Sequence, residues 1–130
     1  MTDKVLAGKR CLVMDDEFLI ALDIQQILEA AGASVVCASN TTDALSALGE
    51  KFTFDIAVLD VQLGEAADGG TLDLARMLAG KNVPFVFLTG MRQSDLHAMD
   101  FPEAPVVEKP YEAPLLLYAV TRALAGKPAR

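Results

Sequence analysis

Five short apolar runs recur along the chain, and each passes into a polar residue able to do chemistry. Leu12-Val13-Met14 runs into Asp15-Asp16, Val35-Val36-Cys37 into Ser39, and Ile56-Ala57-Val58-Leu59 into Asp60. Phe85-Val86-Phe87-Leu88 leads to Thr89, and Val106-Val107 to Lys109. Apolar runs without alternation are what strands covered on both faces of a parallel sheet look like. Segments of helical period lie between them. Phe18, Leu19, Leu22, Ile27 and Leu28, interrupted by Asp23, Gln25, Gln26 and Glu29, predict an amphipathic helix stopped at Gly32. Asn40 or Thr41 can cap a short helix through Leu45 and Leu48 that ends at Gly49. Thr71 leads into Leu72, Leu74, Ala75 and Leu78, ending at Gly80. A weaker helix is expected from about Ser94 to Met99. The last is expected from about Glu112 to Leu124, with Pro114 tolerated because it falls in the first turn.

The order is therefore β-α repeated five times with short connections. Right-handed crossovers then require an α/β fold, a doubly wound five-stranded parallel sheet with five helices on its two faces. No repeat, low-complexity run or internal linker appears, so residues 1–130 are expected to form a single domain with its core over about 9–125. Fraying is expected at Met1 to Lys9 and at Gly126 to Arg130. The longest stretch without predicted structure, Gln62 to Gly70, directly follows Asp60.

Composition narrows the function classes. Hydrophobic residues make up 52% of the 130, yet no uninterrupted apolar stretch approaches the roughly 18 residues needed to span a bilayer. The first ten residues lack an apolar signal region, so cytoplasmic residence is expected. Eleven Lys and Arg stand against eighteen Asp and Glu, for a net charge of −7. Phosphate-backbone binding depends on basic residues, so direct contact with nucleic acid is not expected. Cys11 and Cys37 lie far apart with no CxxC pattern, and read as reduced thiols behaving as small hydrophobes.

In such sheets ligands bind outside the carboxyl ends of the strands. Asp15, Asp16, Asp60, Thr89 and Lys109 are therefore expected to meet in one pocket. Three like charges repel unless one keeps a proton or a cation neutralises them. Oxygen ligands without His or Cys suit Mg²⁺. With the Lys109 ammonium and the Thr89 hydroxyl, these parts would stabilise a phosphoryl group moving onto a carboxylate. Plainer roles exist for single members. An N-cap role accounts for Asp15 but leaves its neighbour unexplained. Thr89 could cap the turn at Gly90, and Lys109 could be a surface lysine. Asp60 is harder to place so, because a buried strand should not end in an unpartnered carboxylate.

From about Lys9 to Leu124 the chain resembles a response-regulator receiver domain of two-component signalling. The resemblance rests on Asp15-Asp16 after the first strand, Asp60 after the third, Thr89-Gly90 after the fourth and Lys109-Pro110 after the fifth. It implies a flavodoxin-like architecture, Asp60 as phosphoacceptor, and Asp15 and Asp16 as acids of a Mg²⁺ site. The main-chain carbonyl of Gln62 would complete the metal ligands, and Thr89 and Lys109 would bind the phosphoryl group. It further implies a histidine kinase or histidine phosphotransfer protein as donor and a downstream protein as target. The fourth helix, fifth strand and fifth helix would form the output face, which also offers a homodimer surface. Such a domain is a switch rather than an enzyme, with no direct nucleic-acid or membrane partner.

The chain departs from the family in places. Val106 stands where most receivers carry an aromatic switch residue, and Gly64 where proline is common. The segment around Thr89 is similar to a subgroup with a Phe-Ala-Thr-Gly motif, but Leu88 replaces the alanine and Met91 stands near the subgroup's tyrosine. The sole histidine, His97, has no part in phosphotransfer. A stand-alone receiver is the leading reading. A phosphate sink, or a receiver fragment of a larger regulator or hybrid kinase, is the alternative. A metal-dependent aspartyl phosphohydrolase fits less well, since Glu17 stands where haloacid-dehalogenase-like enzymes carry a second Asp. A nucleotide-binding module lacks its glycine-rich loop after the first strand.

Overall fold

All five apolar runs become strands of one parallel sheet: β1 (Arg10–Met14), β2 (Ser34–Ala38), β3 (Ile56–Val61), β4 (Phe85–Thr89) and β5 (Val106–Glu108). The computed structural model describes residues 4–49, 53–61, 70–89, 104–109 and 111–126. Four helices lie within them, α1 (Phe18–Ala30), α2 (Thr41–Gly49), α3 (Gly70–Gly80) and α4 (Ala113–Ala125). The helix expected over Ser94 to Met99 and the loop from Gln62 to Gly69 lie outside the described residues. Spatial order is β2-β1-β3-β4-β5. The chain winds outward from β1 to β2, then returns to the other side of β1 for β3. That reversal opens a crevice at the carboxyl ends of β1 and β3.

Strand alternation sorts the core into two layers. Leu12, Met14, Ala57, Leu59 and Phe87 pack with Ala44 of α2 and Leu74, Ala75 and Leu78 of α3. Val13, Val58, Val86, Leu88 and Val107 face Ile24 and Leu28 of α1 and Leu116 and Val120 of α4. Covered on both sides, the central strands need no polar positions, which is why their sequences are continuous apolar runs. β2 lies at the edge and is less covered, and this corrects one reading. Cys11 is buried, and burial pushes its thiol up to about 12. Cys37 is exposed, with its Sγ 3.4 Å from Gln25 Oε1, and does not behave as a core residue.

The helix boundaries follow local chemistry. Asn40 caps α2, its Oδ1 accepting the Asp43 N–H at 2.8 Å. Pro114 sits in the first turn of α4, where its missing N–H costs no helical bond. At the end of α1, Gly32 takes φ +104° and the Ala33 N–H donates back to Leu28 O at 3.1 Å.

The expected fraying of Met1 to Lys9 does not hold for residues 4–9. Leu6 is fully buried, and its N–H donates to Ala31 O at 2.8 Å. Leu6, in the short stretch Val5-Leu6-Ala7, gives no periodic signal, yet it docks against the turn that follows α1. This docking restricts Gly32 a second time, because a Cβ there would lie 2.9 Å from Ala7 Cα. Gly32→Ala should therefore destabilise the domain by about 1–3 kcal/mol, read as a lower urea midpoint with unchanged slope. An unshifted midpoint would mean the turn relaxes at no cost.

Candidate functional site

β1 and β3 pair in parallel up to Met14 opposite Leu59. The next step along both strands sets Asp15 beside Asp60, each continuing the alternation that faces α1 and α4. The Asp15 N–H donates to Ala38 O at 3.1 Å, which extends the ladder one residue past β1. On the other side, the Lys109 N–H donates to Thr89 O at 2.9 Å, so the residue after β5 is fixed to the end of β4.

Asp15 is only 1% exposed. Its Oδ1 accepts the Glu17 N–H at 2.9 Å in an Asx-type turn. The N-cap of α1 is Glu17, with no side-chain capping bond, so capping does not explain Asp15. Its second oxygen, Oδ2, is buried without a hydrogen-bond partner among the described residues. Burial, followed by the charges of Asp60 and Asp16, pushes the Asp15 carboxyl up to about 6, against the pull of the Glu17 N–H and of Lys109.

Asp60 is 3% exposed, and the Lys109 Nζ sits 2.7 Å from its Oδ1. The same ammonium lies 3.7 Å from Glu17 Oε1. Burial alone would lower the Lys109 pKa. The hydrogen bond to Asp60 and the charges of Asp60, Asp15 and Glu17 outweigh it and raise it. Asp16 is exposed, yet one oxygen from each of Asp15, Asp16 and Asp60 falls within 4.8 Å of the others.

This donor set fits a hard divalent cation. Among the described residues the cluster of Asp15, Asp16 and Asp60 offers carboxylate oxygens, one of them buried and unpartnered, with a single ammonium beside them. An unmatched oxygen of this kind is costly unless something satisfies it. A hydrated cation would do so.

Of the expected site residues, side-chain geometry thus unites Asp15, Asp16, Asp60 and Lys109. Thr89 is fully buried at the end of β4, opposite Val61 in register, and joins the site through its carbonyl. Gln62, Gly90 and Pro110 lie outside the described residues. Two features went unread in the sequence. Glu17 is a second acid on Lys109, and its only signal is its place directly after two aspartates. Tyr111 donates to Asp23 at 2.6 Å across 88 residues, which no local pattern announces.

Among the described residues no helix is long and apolar enough to cross a membrane. A family model for the response regulator receiver domain matches residues 11–121. The transcriptional regulatory protein PdtaR of Mycobacterium tuberculosis is 29% identical over 120 residues, covering 90% of this chain and 57% of that protein. The transcriptional regulatory protein DltR of Streptococcus agalactiae is 33% identical over 110 residues, covering 83% and 48% respectively. The chain spans about half the length of the curated relatives it matches. A response regulator receiver protein from Sinorhizobium medicae superposes with a TM-score of 0.81 at 24% identity, over 92% of this chain and 97% of that one. The non-phosphorylated HemR receiver domain of Leptospira biflexa gives 0.74 at 27% identity, over 95% and 99%. With the acid cluster and its lysine at the carboxyl edge of a β2-β1-β3-β4-β5 sheet, and a family match over nearly the whole fold, the chain belongs to the response regulator receiver domains.

Proposed function

We propose that this domain is a phosphorylation-controlled switch in which Asp60 accepts a phosphoryl group from a histidine kinase or histidine phosphotransfer protein. The observation that carries the reading is the buried Asp60 carboxylate, 2.7 Å from an ammonium and grouped with two further acids. An Asp60 oxygen attacks phosphorus, a P–O bond forms, and the P–N bond to the donor imidazole breaks. The imidazole leaves with its electron pair and is then protonated. Lys109 follows the charge from the carboxylate to a phosphoryl oxygen, and Thr89 supplies a hydroxyl donor. Asp15, Asp16 and Asp60, with the main-chain carbonyl of Gln62, would hold Mg²⁺. The chemistry that ion supplies is neutralisation of negative charge between the acids and the incoming phosphoryl group. Beyond its own phosphorylation and dephosphorylation the domain turns over no substrate. It works in the cytoplasm through protein contacts, and the net charge of −7 disfavours direct contact with nucleic acid. Incubation with a panel of phosphorylated histidine kinases should place label on Asp60. Absence of label from every such donor and from acetyl phosphate would end this reading.

Signalling must proceed without a swinging aromatic ring. Val106 is half-buried opposite Phe87 in the sheet, and valine has no ring to bury. The two states would then differ where Thr89 is drawn toward the phosphoryl group. The shift would pass into the stretch after Thr89, which carries Leu96 and Met99, and to β5 beside it; Tyr111 and Tyr118, expected on the output face, lie instead toward α1. Amide exchange with and without beryllofluoride should show altered protection in that stretch and in β5. Changes confined to 60–70 would move the switch into the loop after β3.

A further inference from the structure

Tyr111 is tied down by a contact outside the pocket. Tyr111 stands two residues beyond the lysine, and its ring packs against the core layer beneath α1 and α4. Its hydroxyl donates to Asp23 Oδ2 at 2.6 Å, a short bond to a carboxylate in the second turn of α1. Burial, this bond, and the charges of Asp23 and Asp15 all raise the phenol's pKa, so it stays a donor.

Neither Lys109 nor Tyr111 belongs to a strand or helix, since β5 ends at Glu108 and α4 starts at Ala113. The Lys109 N–H is held by Thr89 O, and Tyr111, two residues on, is held by Asp23. This matters because a lysine stem is long and rotamer-rich, and a second acid is within reach. Asp60 lies at 2.7 Å from the ammonium and Glu17 at 3.7 Å. A small displacement of the backbone would redistribute Lys109 from the phosphoacceptor toward Glu17.

We propose that Tyr111, acting through Asp23, is a positioning residue for phosphoryl uptake, latching the segment after β5 to α1 so that Lys109 is held on Asp60. This rests on the phosphoacceptor reading above. Tyr111→Phe keeps the ring in the core and deletes only the hydroxyl. Asp23→Ala removes the acceptor at an exposed helical position. Both are compared with wild type and the double variant in the full chain, well below the unfolding temperature. The readouts are beryllofluoride affinity, the rate of label uptake from acetyl phosphate, and the Lys109 Cε–Hε resonance in metal-free protein.

Each single variant should weaken both phosphoryl readouts by about fivefold, and the double should lose no more than either single. The Lys109 resonance should shift in the same direction in all three. Unchanged uptake and an unmoved resonance alongside a lower Tm would reduce the bond to a structural tie and overturn the latch. Losses that multiply in the double variant would overturn it as well. If wild type itself takes up no label, the phosphoacceptor reading fails, and the Lys109 resonance alone judges the latch.

Discussion

Asp60→Asn should take up no phosphoryl label from any donor, kinase or acetyl phosphate, under conditions in which wild type is labelled. A carboxamide oxygen is too weak a nucleophile to displace the leaving group from phosphorus, and among the described residues no second acid stands in the same relation to Lys109. Asp15 is buried but bonded to Glu17 N–H, and Asp16 is exposed. Among the described residues only Asp60 joins deep burial to an ammonium at 2.7 Å. The loss should therefore be complete rather than partial, with native circular dichroism showing that the fold survives. Label that persists on the variant and is released by hydroxylamine, the signature of an acyl phosphate, would move the acceptor to another carboxylate.

Asp15→Asn should have opposite effects on stability with and without a divalent metal. Without metal, wild type carries a desolvated carboxylate whose pKa is raised from 3.8 to about 6. A group raised in this way contributes stability that is fully present below its unfolded pKa and is lost as pH rises through its folded one. Metal-free wild type should thus lose stability between roughly pH 4 and 6, from the unfolded pKa to the folded one, whereas the variant should lose less. At the upper end of that range the variant should be the more stable, by on the order of 1–3 kcal/mol. Millimolar Mg²⁺ should reverse the ranking. A ligand bound only to the native state stabilises it by about 2.7 kcal/mol at a hundredfold excess over Kd, and the variant lacks one of the three acids. Thermal melts at two pH values, in chelator and in Mg²⁺, read both effects. A variant that is less stable in chelator, or that gains as much from Mg²⁺ as wild type, would show that the three acids do not share one cation.

The sequence by itself determined the sheet, the four described helices and the gathering of Asp15, Asp16, Asp60 and Lys109 at the strand ends, for a physical reason. Strands covered on both faces leave no room for polar positions, so each run is continuous and its first chemical residue marks the carboxyl end. Doubly wound topology then makes those ends neighbours. Asp15 and Asp60 could be paired on paper because the strands that carry them flank the point where the winding reverses.

What stayed illegible depends on contacts across long separations. Leu6 looked frayed because one leucine has no periodicity; it is buried because its backbone bonds to Ala31 at the end of α1. Cys37 looked buried because its run is apolar, but edge position is a property of the finished sheet. Only tertiary structure decided that Asp15 turns back to the Glu17 N–H, leaving one oxygen unmatched. Only it put Glu17 within reach of Lys109, and the Tyr111 hydroxyl on Asp23. Local pattern reports which face of an element is covered; which side chains share a hydrogen bond depends on how separate elements pack.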